Sequence, residues 1–348
     1  MRSDEAERLG IHRVIEPAGA LPQAAVRLDA QTQDILPGEL CIDVDVLNVD
    51  SASFRQLEET CGGDPAAIGL RVADIVAGRG KLHNPVTGSG GMLLGRVSKK
   101  SGPRALARFQ VAPGDRVSTL VSLTLTPLRI EQVVRVVKPA HQIEIVGEAV
   151  LFESGMLARM PVDLPERVAL AALDVAGAAP QVARLVEQRS REGGPAARVL
   201  VLGCGGKSGL LASAAARRAG ASVVGIEGHA AAAAIAERLG ACERVQVADA
   251  RDPVAVLEAA GAGFDLVVSC VNVEGAEMAA ILTVRDGGTV YFFSMATSFT
   301  RAALGAEGVS RDAAMLIGNG YFPGHAEATL ALLRADARLR AIFEERYG

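Results

Sequence analysis

From residue 198 to residue 321 the chain alternates short apolar runs with stretches of helical composition, and no other feature restricts its fold as strongly. RVLVL (198–202), SVVGI (222–226), RVQVA (244–248), FDLVVSCV (264–271), GGTVYFFS (287–294) and MLIGNGY (315–321) read as strands. Residues 208–219, 230–239, 252–260 and 274–282 read as helices between them. Strands joined through helices must run parallel, with right-handed crossovers that place the helices on the sheet faces. The spacing predicts a doubly wound parallel sheet of the α/β class.

The first of these strands leads into GCGGKSG (203–209). A phosphate loop of the Walker type needs a glycine five residues before Gly206, and that position is Val201. The loop fits a dinucleotide site better. Gly203 and Gly205 follow the strand, while Gly206, Lys207, Ser208 and Gly209 open the next helix. Glu227 stands at the end of the second strand, 22 residues beyond Gly205. A carboxylate there accepts hydrogen bonds from the adenosine ribose hydroxyls and repels a 2′-phosphate, which predicts NAD as the cofactor. The pyrophosphate is expected on backbone N–H groups at the helix start, where the helix dipole favours anions. Lys207 reads equally as a phosphate contact or a solvated surface lysine, and Ser208 as a helix-cap hydroxyl.

The first 160 residues follow another pattern. ELCIDVDVLNV (39–49), GMLLGRVSK (91–99) and DRVSTLVSL (115–123) read as strands around turns such as Pro113-Gly114-Asp115. Asp64-Pro65 starts a helix running to about residue 78, because Asp caps a helix and Pro suits its first turn. This half reads as a strand-rich, barrel-like substrate domain over 1–160. It is linked through Pro161 and Pro165 to a dinucleotide-binding domain over 161–348, which a helix over 166–187 enters.

Composition narrows the function. A net charge of −4 without a basic cluster gives no nucleic-acid footprint. Five cysteines at 41, 61, 204, 242 and 270 contain no Cys-x-x-Cys spacing and read as free thiols of a reducing compartment. MRSDEAERLG has no apolar signal core and no apolar run reaches roughly 18 residues. The expectation is a cytoplasmic protein with no membrane partner.

The order of a strand-rich half before a dinucleotide fold, with FQVAPGDRVSTL (109–120) and MPVDLPERVALAALDVAG (160–177), resembles the medium-chain dehydrogenase/reductase superfamily. That resemblance implies a GroES-like barrel in the first half and a Rossmann fold in the second. A closer similarity spans nearly the whole chain. HRVIEP (12–17), LNVDSASF (47–54), RGKLHNPVTGSGGMLLG (79–95), TLVSLTLTPL (119–128), LFESG (151–155), LDVAGAAPQ (173–181) and NGYFPGHA (319–326) are similar to the diaminohexanoate dehydrogenase family of lysine fermentation. The similarity implies NAD-dependent oxidative deamination of L-erythro-3,5-diaminohexanoate to 5-amino-3-oxohexanoate with release of ammonia. It also implies a homodimer or homotetramer. The competing expectations are a zinc-free NADPH-dependent enoyl or quinone reductase, which Glu227 opposes, and a non-catalytic NAD-binding subunit.

By position, the zinc ligands of metal-dependent relatives fall at Asp50, within Gly88–Gly91 and at Asp174, and no histidine occurs between His83 and His141. The resemblance therefore implies an enzyme without a metal, with His83 and two carboxylates as the one alternative ligand set. Oxidising a C–N bond needs a group that takes and returns protons, and ammonium groups need anions. Asp50 and Asp174 fit that need, each with a capping role as its alternative. Lys81 is read as a base, as a cation for the substrate carboxylate, or as a surface lysine. Ser51, Asn84 and Ser89 are read as groups orienting substrate or water. Roles for His12, Glu16, Glu153 and His325 stay open.

Overall fold

The computed structural model describes residues 3–348 apart from 194, 295 and 319. The chain divides into two compact units, Met1–Glu166 and Arg167–Gly348.

In the first unit, helix α1 (Ser3–Arg8) precedes a small antiparallel pair, β1 (Val14–Glu16) and β2 (Arg27–Leu28). Six further strands form one antiparallel sheet: β3 (Leu40–Asn48), β4 (Met92–Lys100), β5 (Arg116–Thr119), β6 (Leu128–Val137), β7 (Gln142–Leu151) and β8 (Leu157–Arg159). Their spatial order is β6-β7-β3-β4-β5-β8. β3 lies centrally, and its alternation puts Leu40, Ile42, Val44 and Leu47 into the core. Helix α2 (Ser51–Thr60) follows β3 directly, α3 (Pro65–Arg79) comes next, and α4 (Gly102–Arg108) follows β4. The Asp64 carboxylate accepts from Ala66 and Ala67 N–H at 3.1 and 3.3 Å, and Pro65 opens α3 as expected. α3 buries Ile68, Val72, Ile75 and Val76. Gly69 lets it approach Val133 of β6, since a Cβ at that position would meet the valine at 2.9 Å. The β6–β7 hairpin, the longest in the unit, was not expected from the sequence.

The second unit holds the parallel sheet. Its strands are β9 (Arg198–Leu202), β10 (Ser222–Glu227), β11 (Arg244–Val247), β12 (Phe264–Ser269), β13 (Val284–Phe292) and β14 (Ala313–Ile317). The spatial order is β11-β10-β9-β12-β13-β14 with every described pairing parallel. The direction of winding reverses between β9 and β12, and ligands of such sheets bind at that switch, beyond the carboxyl ends of the strands. The chain enters through α5 (Glu166–Leu173) and α6 (Ala178–Arg191). Helices α7 (Lys207–Arg218), α8 (Ala230–Leu239), α9 (Pro253–Ala260), α10 (Glu277–Thr283) and α11 (Phe299–Gly308) then alternate with the strands. Finally α12 (His325–Ala335) and α13 (Ala337–Tyr347) follow β14. Leu200, Leu202, Val267, Val290 and Phe292 fill the core around the sheet.

One expectation is corrected here. The helix over 166–187 is two helices, broken at residues 174–177. The break has a steric cause. Gly177 packs against the carbonyl of Gly320 so closely that a Cβ would overlap it, and Pro180 needs a first-turn position. Asp174 therefore lies just past the end of α5 rather than within a helix. Among the described residues no single helix is long and apolar enough to cross a membrane.

Candidate functional site

The glycine-rich turn of the second unit divides its labour among glycines. Gly203 has φ of 77°, a left-handed conformation that turns the chain out of β9. Gly209 faces the Gly203 carbonyl across the turn with no room for a Cβ, so α7 can start directly against the strand. Gly205 packs in the same way on the Ala232 carbonyl of α8. Gly206 differs. A Cβ there would have only the Gly203 carbonyl nearby, at 3.6 Å, so the backbone borders open space at the start of α7. The first N–H groups of a helix have no partner within it. Those of Lys207, Ser208 and Gly209 therefore suit the phosphates of a dinucleotide.

Glu227 closes β10 and reaches back to the turn. Its Oε2 accepts from Gly205 N–H at 2.9 Å and its Oε1 from Gly228 N–H at 2.8 Å. The acid is thus fixed beside the turn. Arg346, near the end of α13, donates from Nη1 to the Gly205 carbonyl at 2.8 Å. Sequence reasoning missed this arginine, because a terminal Arg-Tyr pair 141 residues from Gly205 carries no motif.

Two readings of the loop are corrected. Ser208 does not cap α7; Gly206 holds the N-cap position and no side chain caps the helix. Lys207 is not a solvated lysine. Its ammonium forms an ion pair with the Asp174 carboxylate, and both side chains are largely buried. Burial alone would lower the lysine, but the carboxylate beside it outweighs that and holds the ammonium above the usual lysine range.

In the first unit a second group of polar residues surrounds the start of α2. Asp50 caps that helix, its Oδ1 accepting from Ser53 N–H at 3.0 Å. Its Oδ2 is buried without a protein partner. Ser51 is the first helical residue, and Ser53 Oγ bonds Thr87 Oγ1 at 2.6 Å. Asn84 is fully engaged: Nδ2 donates to Gln56 Oε1 at 2.8 Å, and Oδ1 accepts from Val86 and Thr87 N–H at 2.8 and 3.3 Å. This fixes the loop rather than leaving an amide for substrate. The Ser89 carbonyl accepts from Asn84 N–H at 2.9 Å. Gly90 abuts the Leu82 carbonyl, and a Cβ on Gly91 would meet Asp50 N at 2.9 Å. Two adjacent glycines thereby hold the segment bearing His83 against the segment bearing Asp50. His83 Nδ1 is also buried without a protein partner. Burial, then Lys81 and Arg79, lower its pKa and keep the imidazole neutral.

Lys81 departs from expectation. It is fully buried, and its ammonium donates to the carbonyls of Pro22 and Gln23 at 2.8 and 3.3 Å. Burial, with Arg79 nearby, lowers it to about 8. The contacts make it an anchor for residues 22–23 and not a surface lysine. Of the open residues, His12 bonds Glu39 at 2.8 Å, and His325 is buried with its ring edge-on to Tyr321.

A zinc ion does not fit these residues. Asp174 is neutralised by Lys207, Asp50 spends one oxygen on a helix cap, and no three His, Cys, Asp or Glu side chains gather among the described residues.

Comparison with known proteins adds the family. A family model described as L-erythro-3,5-diaminohexanoate dehydrogenase N-terminal domain matches residues 12–161, and one described as zinc-binding dehydrogenase matches 209–310. The chain is 48% identical over 348 residues to L-erythro-3,5-diaminohexanoate dehydrogenase of Acetoanaerobium sticklandii, and 47% identical to that of Fusobacterium nucleatum. Each match covers 98% of both chains. Among solved structures, an alcohol dehydrogenase from Thermotoga maritima is similar with a TM-score of 0.54 at 17% identity, covering 89% of this chain and 85% of that one. That likeness is one of fold.

Proposed function

The chain belongs to the L-erythro-3,5-diaminohexanoate dehydrogenase family, and from that membership we propose that it oxidatively deaminates L-erythro-3,5-diaminohexanoate to 5-amino-3-oxohexanoate with NAD, releasing ammonia. The observation that carries the substrate is 48% identity along 98% of both chains. The dehydrogenase fold implies a nicotinamide cofactor, and Glu227 beside the glycine-rich turn supports NAD over NADP.

The chemistry a bound nicotinamide would supply is a hydride acceptor for the carbon bearing the amine. The chain's own residues do the rest. The N-terminal N–H groups of α7, with Arg346 as a nearby cation, favour the dinucleotide phosphates. Asp174 acts through Lys207, keeping it an ammonium at the head of that helix. Asp50 Oδ2 is the free carboxyl oxygen we assign to a substrate ammonium, because a buried acceptor without a partner gains most from a charged donor. His83 Nδ1 is the neutral nitrogen we assign to accepting a proton as the amine is made neutral or water is activated. We assign a homo-oligomeric state on the same family membership, checked by light scattering.

The test is NADH formation at 340 nm (about the usual assay wavelength) with purified protein, NAD and L-erythro-3,5-diaminohexanoate, with ammonia measured in parallel. Stoichiometric NADH and ammonia are expected. Turnover of enoyl compounds but not of the diamino acid would replace the reading with a reductase.

A further inference from the structure

Cys204 is the second residue of the glycine-rich turn and is fully buried. Cys242 lies just beyond α8 and is half-buried. The two thiols meet at Gly225 of β10. A Cβ on that glycine would stand 2.6 Å from the Cys204 sulfur and 3.1 Å from the Cys242 sulfur, so both sulfurs crowd one point that only glycine leaves open. Cys242 Sγ also lies 3.7 Å from Ser213 Oγ. The pairing is unequal. The neighbouring Cys204, with help from Ser213 and Arg217, lowers the Cys242 thiol, while Cys242 and burial raise Cys204. Cys242 is thus the more acidic and the more accessible of the two, the attributes of an attacking thiol.

We propose that Cys204 and Cys242 are a reversible disulfide site, through which an oxidant of the peroxide class weakens dinucleotide binding. The Cys242 thiolate attacks one peroxide oxygen, the O–O bond breaks, and Cys242 becomes a sulfenic acid while the departing hydroxide takes up the thiol's former proton as water. Cys204 sulfur then attacks the Cys242 sulfur, the S–O bond breaks, and the hydroxyl leaves with the Cys204 proton as a second water. Two thiols have lost two electrons and the peroxide has gained them. A dithiol reductant reverses the step by exchange and is itself oxidised to a disulfide.

The fold couples this bond to the turn. Gly203 and Cys204 N–H both donate to the Ile226 carbonyl, at 2.8 and 3.2 Å, and Gly203 packs on Gly209. A disulfide needs its sulfurs at about 2.05 Å with a fixed dihedral angle, tighter than a pair of free thiols. Drawing Cys204 toward Cys242 therefore shifts the turn and the first N–H groups of α7. Unlike a thiol trapped in the core, this pair can report its state through cofactor affinity.

The proposal rests on the dinucleotide reading of the loop, so the reduced protein is titrated first with NADH, followed by fluorescence. The protein is then treated with hydrogen peroxide, mapped by mass spectrometry, and titrated again before and after dithiothreitol. The expected results are a Cys204–Cys242 crosslink with a loss of about 2 Da, a rise of about tenfold or more in NADH Kd, and recovery with dithiothreitol. Saturating NADH should slow the crosslink. Cys242→Ser should bind NADH like the reduced parent and keep that affinity in peroxide. Three results overturn the switch: no crosslink at these residues, a crosslink with unchanged Kd, or peroxide-sensitive binding in Cys242→Ser. Failure of the reduced protein to bind NADH overturns the cofactor reading and the switch together.

Discussion

Lys207, the first residue of α7, is ion-paired with Asp174, the residue just past the end of α5. The pair joins the helix that carries the glycine-rich turn to the segment by which the chain enters the second unit. Lys207→Met removes the cation from that partly buried carboxylate, at an expected cost of about 1–3 kcal/mol, between exposed and buried pairs. Asp174→Asn in the same background should recover part of the loss. Strictly additive effects in urea denaturation would show that the pair is not coupled.

The same lysine sets an alkaline limit. Its pKa is raised in the folded state, so its contribution is fully present below the ordinary lysine pKa of about 10.4 and is lost as pH climbs through the raised value. Melting temperature should fall more steeply above that range in the parent than in Lys207→Met. Parallel curves for the two proteins would contradict this.

Lys81 works in the opposite sense. Its folded pKa is lowered to about 8, so the unfolded chain binds more protons between that value and about 10.4. Its burial penalty is complete below pH 8 and is relieved as pH rises through that window. Lys81→Met should flatten the rise in stability over the window and keep kcat within a few-fold. A fall in kcat of about 10²–10⁴ would instead mark Lys81 as the base.

Asp50→Asn retains a capping oxygen and removes the charge. Stability should change by less than about 1 kcal/mol, while KM for the diamino acid rises with a smaller effect on kcat. Unchanged KM in a folded variant would remove Asp50 from substrate binding.

Glu227→Ser should raise the NAD Kd about 10- to 150-fold, the value of roughly 1.5–3 kcal/mol for a charge-assisted hydrogen bond, and narrow the preference over NADP. Dialysis against a chelator should leave turnover intact. An unaltered cofactor preference would shift the ribose contact elsewhere, and chelator-sensitive turnover with stoichiometric zinc would restore the metal.

The parallel sheet was legible because most of its strands hold an apolar run set between helical stretches. Only its boundaries moved: β13 begins at Val284 rather than at 287. The β6–β7 hairpin was not legible. Arg129, Glu131 and Arg135 interrupt its apolar alternation, and their partners Glu148 and Glu144 on β7 become apparent only once the strands pair. The glycine turn and Glu227 could be found by spacing because they are local to one strand–helix–strand unit. The partners of Lys81 and Lys207 could not, since the carbonyls of Pro22 and Gln23 and the Asp174 carboxylate are brought to them by folding. The break at Gly177 depends on Gly320, a contact that no helical periodicity encodes.

The hydrogen bond from Arg346 to Gly205 spans 141 residues of chain. A ribosome that has finished the glycine-rich turn must therefore add nearly all of the second unit before that bond can form. Until then the nascent turn has its strand and its glycines but lacks one of its cations. Premature termination within α13 would leave a protein with an intact nucleotide motif and an incomplete cradle, a defect that inspection of the motif alone would pass over.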